Sequence, residues 1–268
     1  MTEGHIKFGE HILHFYRYGH GKKAFVAFHG FGQGGEYLAP FESAIGDEYT
    51  IYAFDLFFHG KSYYTDVSQA LEKQELGDIL QAFFKQEQID LFDVLGYSMG
   101  GKFALSCIEL FPDNIQNAYL IAPDGIKTSF WYSLATYPQI FRDLFHKIIK
   151  KPEIFWKITK TANSLRIVDK SILKFAKSQM KTEEQRQRVY FTWVIFRHLK
   201  FKLKDIAQII NTHKIDLKMI TGAYDKIVTT ENMRLLLKHL DDYEEIVLDT
   251  GHNHLIRETA EYIEGNKY

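Results

Sequence analysis

Residues 95–101 spell LGYSMGG. The run DVLGYS leading into Ser98 is apolar enough for a buried strand, and MGGKFALSCIELF after it reads as a helix of small and apolar residues that stops at Pro112. A strand that turns abruptly into a helix forces the residue at the bend into a strained conformation, and any side chain at Gly96 or Gly100 would clash. The bend lifts the Ser98 hydroxyl out of the sheet. Met99 then offers its backbone N–H at the helix N-terminus, where the dipole favours negative charge. A serine here also reads as a helix N-cap, but a cap does not need glycines on both sides, and the pattern points to a nucleophile.

Working outward, HILHFYRYG, AFVAFHG and YTIYAFDL are short strand-like runs, and EYLAPFESAIG has helical spacing. QALEKQELGDILQAFFKQEQ puts Leu71, Leu76, Ile79, Leu80, Phe83 and Phe84 on one helical face. AYLIAPDG is a further strand. The rhythm resumes late in the chain with IDLKMITGAYD, the helix TENMRLLLKHL, the strand EEIVLDTGH and the helix LIRETAEYIEG. Alternating strands and helices predict a doubly wound, mostly parallel α/β sheet covered on both faces. A chain of 268 residues is long enough for one such domain with an insertion.

Residues 126–205 break the pattern. They hold 18 of the 33 Lys/Arg and only 6 of the 34 Asp/Glu, so this stretch carries about +12 and the remainder about −13 within a net charge of −1. Trp131, Trp156 and Trp193 all fall here, and IFWKITKTANSL and RVYFTWVIFRHL repeat basic and aromatic residues at helical spacing. The expected organisation is an α/β core over 1–125 and 206–268, interrupted by an all-helical insertion over 126–205.

GFGQGG at 30–35 has the form G-x-G-x-x-G after a strand, with Asp55 twenty residues on, which is the written form of a dinucleotide fingerprint. That reading leaves GYSMGG, AYDKIV and GHNHL without a role. HGKS at 59–62 has the tail of a P-loop, but Asp55 stands where its first glycine is required.

Four motifs together resemble the α/β-hydrolase family: His29-Gly30 closing a strand, the segment from Asp55 through His59-Gly60 to Ser62, GYSMGG, and GAYDKIV followed by DTGHNHL. The resemblance covers the core, and the insertion matches as a generic helical cap. It implies a nucleophile Ser98, a base His252 and an acid Asp225, in that chain order, and an oxyanion hole from the N–H groups of Phe31 and Met99. Asp124, at the end of the preceding core strand, is the alternative acid. His254 is the competitor of His252, and Asp249 lies too near the histidine turn to reach around it. His29, His59 and Asp55 are read as loop supports. The implied chemistry is hydrolysis of an ester, thioester or related carbonyl compound through an acyl-enzyme, with no metal or organic cofactor.

The cap's aromatic and basic residues lean towards a small-molecule substrate with a hydrophobic acyl group. They also suit an anionic membrane surface, while no nucleic-acid motif accompanies the charge. The alternative reading is a catalytically silent member of the same fold that binds a small ligand or acts at a membrane surface. Lys102 is read as a solvated helix lysine, and the single Cys107 as a small buried residue that excludes an internal disulfide. MTEGHIKFGE has no apolar h-region, and no run nears the ~20 apolar residues that span a bilayer, so a soluble, cytoplasmic protein is expected.

Overall fold

The computed structural model describes residues 1–128, 130–151, 153 and 177–266. The segment IFWKITKTANSL and Trp156 lie outside them. The chain divides into two compact units, one of Met1–Thr65, Glu72–Lys127 and Leu199–Tyr268, the other of Asp66–Leu71 and Thr128–His198.

The first unit is built on eight strands: β1 (Thr2–Phe8), β2 (His11–Tyr18), β3 (Lys23–Phe28), β4 (Tyr49–Phe54), β5 (Phe92–Tyr97), β6 (Ile115–Ile121), β7 (Asp216–Gly222) and β8 (Glu244–Leu248). They form one sheet in the order β1-β2-β4-β3-β5-β6-β7-β8. β1 and β2 pair antiparallel, as do β2 and β4, and every other pairing is parallel. All six residues of β5 are buried, as expected of a parallel strand covered on both faces. The described α-helices are α1 (Phe41–Ile45), α2 (Lys73–Glu87), α3 (Gly100–Leu110), α4 (Phe130–Thr136), α5 (Gln139–Lys150), α6 (Glu183–Ile195), α7 (Leu203–His213), α8 (Thr230–Leu237) and α9 (Leu255–Gly265). The order of strands reverses at β3, which lies between β4 and β5. Such a switch point opens a crevice at the C-terminal ends of the strands.

α2 buries Leu76, Ile79, Leu80, Phe83 and Phe84, and the Phe83 ring meets Phe54, Tyr52 and Phe15 at centroid distances of 4.8, 5.2 and 5.3 Å. Leu71 is not part of this face. The chain is still extended at Glu72, and the Leu71 N–H is taken by the Ile195 carbonyl at 2.9 Å within the second unit. EYLAPFESAIG divides into a 3-10 turn over Gly35–Leu38 and the short α1, because Pro40 has no N–H with which to continue a single helix.

In the second unit, α6 starts with a reciprocal capping box between Thr182 and Gln185. Phe145 of α5 packs against Tyr190 and Trp193 of α6, with ring centroids 5.4 and 5.7 Å apart. Along the same helix Ile140, Phe141 and Leu144 are exposed. No helix among the described residues is long and apolar enough to cross a membrane.

Candidate active site

Ser98 stands between β5 and α3 with φ of 50°, a left-handed conformation that costs a non-glycine residue about 1–3 kcal/mol. Neighbouring backbone holds it there: its N–H donates to the Ile121 carbonyl at 2.9 Å, and its carbonyl accepts from Gly101 at 2.8 Å and Asp124 at 2.7 Å. The approach of α3 to the sheet leaves no room for side chains. A Cβ on Gly96 would lie 2.6 Å from the Ala104 Cβ, and one on Gly100 only 2.2 Å from the Phe28 carbonyl oxygen.

Asp225 follows β7 and His252 follows β8, so both meet Ser98 at the same edge of the sheet. The Ser98 Oγ is 3.0 Å from His252 Nε2, and His252 Nδ1 is 2.6 Å from Asp225 Oδ2. A buried carboxylate can only accept unless protonated, so Nδ1 carries the imidazole proton and Nε2 is left to accept from the serine. The Asp225 side chain is fully enclosed, and its Oδ1 accepts the N–H groups of Ile227 and Val228 at 2.8 and 2.9 Å. Three donors on one buried carboxylate hold its plane.

The other residues named from the sequence stand elsewhere. Asp124 is partly exposed, with Oδ1 on the Gly125 N–H at 2.7 Å and Oδ2 3.5 Å from Lys102 Nζ. His254 and Asp249 are exposed. Lys102 is not solvated: α3 is buried from Gly100 to Ile108, so its ammonium is taken into the fold with Asp124 as counter-ion. Cys107 is enclosed, and burial pushes its thiol up, away from the reactive thiolate.

Met99 is the N-cap residue of α3, and Phe31 lies in the loop after β3. That loop is pinned by side chains on both sides. Gly30 donates to Gln33 Oε1 at 3.0 Å, and Gly32 to His59 Nε2 at 3.0 Å. His29 is wholly buried; its Nε2 accepts the Leu56 N–H at 2.9 Å while Nδ1 donates to the Gly30 carbonyl at 2.7 Å. Asp55, also wholly buried, accepts the N–H groups of Gly35 at 2.7 Å and Lys61 at 2.8 Å and pairs with His14 Nδ1 at 2.8 Å. Two histidines and one aspartate thus tie the β3 and β4 loops together.

Sequence reasoning missed Tyr97 and Tyr37. The Tyr97 hydroxyl donates to the His252 carbonyl at 2.7 Å, and the Tyr37 hydroxyl to the Asn253 carbonyl at 2.8 Å. Burial pushes the Tyr97 phenol well up from its ordinary range, so it remains a donor. No spacing in the sequence marks either phenol. Among the described residues, no group of three His, Cys, Asp or Glu could hold a metal ion.

A family model described as alpha/beta hydrolase fold matches residues 23–259. No curated protein matches in sequence. Among solved structures, the thermophilic esterase from Thermogutta terrifontis in its malate-bound form is 14% identical with a TM-score of 0.70, the match covering 99% of this chain and 96% of that one. A membrane phospholipase A, described as a bacterial virulence factor, is 17% identical with a TM-score of 0.67, covering 98% and 84%. The thioesterase domain from the curacin biosynthetic pathway is 13% identical with a TM-score of 0.63, covering 98% of each. At such identities the likeness is one of fold. With the matched model spanning most of its length, the chain belongs to the alpha/beta hydrolase fold family.

Proposed function

We propose that the protein is a serine hydrolase that cleaves an ester, thioester or related carbonyl substrate through an acyl-enzyme. The reading is carried by the continuous hydrogen-bonded chain from Ser98 Oγ through His252 to the enclosed Asp225. Ser98 Oγ attacks the carbonyl carbon as its proton passes to His252 Nε2. The negative charge that develops on the carbonyl oxygen is met by the N–H groups of Met99 and Phe31. Collapse of the tetrahedral intermediate breaks the bond to the leaving alcohol or thiol, which takes the proton from His252. Water then gives a proton to His252 and attacks the ester of Ser98; the acid leaves, and the proton returns to the serine. Asp225 orients the imidazole and stabilises its cation throughout. Proteins of similar fold are named as an esterase, a phospholipase A and a thioesterase, which supports this substrate class.

A fluorophosphonate probe tests the reading. Covalent labelling at Ser98 is expected in the wild type and in Asp124→Asn, and labelling slowed by about 10³–10⁴-fold in Asp225→Asn, where the imidazole tautomer is lost. No labelling of the wild type, or equal labelling of both aspartate variants, would sink it.

A second reading concerns where the enzyme works, and the exposed face of α5 favours it. Ile140, Phe141 and Leu144 are open to solvent and share their helix with the exposed Lys147 and Lys150, followed by Lys151. Apolar side chains beside lysines suit the surface of an anionic bilayer, where each contributes to adsorption. Sedimentation with anionic but not neutral vesicles at low salt is expected, weakened in Leu144→Glu. A protein left in the supernatant with both vesicle types overturns it.

A further inference from the structure

We propose that Tyr97 is a positioning residue for His252, on the reading that Ser98, His252 and Asp225 work as one catalytic set. Tyr97 is the last residue of β5, adjacent to Ser98, and is 2% exposed. Its hydroxyl reaches 155 positions along the chain to the His252 carbonyl at 2.7 Å, which also accepts the Leu255 N–H at the start of α9. Its ring lies alongside the imidazole, 5.2 Å between centroids with an interplanar angle of 32°. One rigid side chain therefore touches both the backbone and the ring of the histidine.

The same ring sets the other wall of the site. A Cβ on Gly30 would meet Tyr97 Cε1 at 2.8 Å, so the loop bearing Phe31 rests directly on the ring. Gln33 closes the same loop by holding the Gly30 N–H on its Oε1 at 3.0 Å. Tyr97 is thus the hub of three segments: the bend carrying the nucleophile, the loop carrying one oxyanion donor, and the turn carrying the base. Tyr37, on the Asn253 carbonyl at 2.8 Å, is a second tether of that turn.

Asp225 fixes the rotation of the imidazole but not the height of its backbone above Ser98. The turn over His252–His254 is a single 3-10 element and has little stiffness of its own. The Tyr97 hydroxyl supplies it by anchoring the carbonyl to the strand that ends at the serine. Misplacement of a reacting group by an ångström costs up to about 10²-fold in rate, and loss of one hydrogen bond at the turn should produce part of that.

Tyr97→Phe keeps the ring and removes the tether. The expected result is a fall in kcat of about tenfold with KM within about twofold of wild type. In proton NMR, the downfield Nδ1–H signal of His252 should broaden as the imidazole loosens on Asp225. Tyr18→Phe is the control. Tyr18 is a buried tyrosine whose hydroxyl has no hydrogen-bond partner among the described residues, so its loss should leave both readouts unchanged. A Tyr97→Phe protein with wild-type kcat and an unchanged signal overturns the proposal, as does an equal fall in Tyr18→Phe. A wild type that neither turns over esters nor takes the fluorophosphonate removes the hydrolase reading, while the NMR comparison still decides whether the phenol holds the imidazole. If Tyr97→Phe fails to fold, Tyr37→Phe, at a partly exposed site, takes its place with an expected fall of about threefold; no change in it then overturns the proposal.

Discussion

Ser98→Ala is expected to lower kcat on an acyl ester by about 10⁴-fold or more, with His252→Ala close behind, and the double variant no worse than either. The reason is that the two side chains perform one event. Without the imidazole, the serine keeps its proton and is a poor nucleophile; without the hydroxyl, the imidazole has nothing to activate. A loss of 10⁴ corresponds to about 5.4 kcal/mol of transition-state stabilisation, and independent contributions of that size would add to almost 11 kcal/mol. Steady-state kinetics of the three variants on one ester distinguish the cases. A double variant far below the singles, or a single variant within tenfold of wild type, would contradict the proposed roles.

The largest expected effect on stability comes from one methyl group at Gly100. A Cβ there would sit 2.2 Å from the Phe28 carbonyl oxygen, 2.6 Å from the Phe28 carbon and 2.8 Å from the His29 oxygen. These are backbone atoms of the central strand β3 and its exit. They cannot turn aside as a side chain would, so Gly100→Ala must push α3 off the sheet. A loss of about 3–5 kcal/mol is expected, at the upper end for single substitutions. Gly77 is the contrast, since it too lies in a helix, but a Cβ there meets only the Leu110 side-chain tip, at 3.3 Å. Leu110 can yield, and alanine is the better helix former by about 1 kcal/mol; Gly77→Ala should therefore change stability by less than about 1 kcal/mol. Urea unfolding of both variants checks the pair, and similar losses at the two positions would refute the packing argument.

The core of the fold was legible because its strands are short and apolar and its helices strongly periodic. DVLGYS, AFVAFHG and YTIYAFDL lie in or around mostly buried parallel strands, where apolar residues dominate the run. β1 was not read. TEGHIKF has only Ile6 buried, and it becomes a strand by pairing with β2 through the Gly9 turn rather than by its own pattern. The long helix proposed from Gln69 begins only at Lys73, because Leu71 has a backbone partner in the second unit. Lys102 misled because its spacing says nothing about the depth at which α3 lies. That Ser98, Asp225 and His252 would lie together was legible because each follows a strand in a motif of known shape. The tethering phenols were not: a tyrosine at position 97 or 37 looks like any aromatic until the turn at His252 is brought beside it.

The left-handed backbone at Ser98 sets folding and turnover against each other within a single residue. Glycine adopts that geometry freely, so the most comfortable occupant of position 98 is one that cannot attack anything. A descendant released from the demand for chemistry would gain robustness by discarding its hydroxyl. A serine at that bend is thus what the proposed chemistry requires and what the backbone alone would not choose.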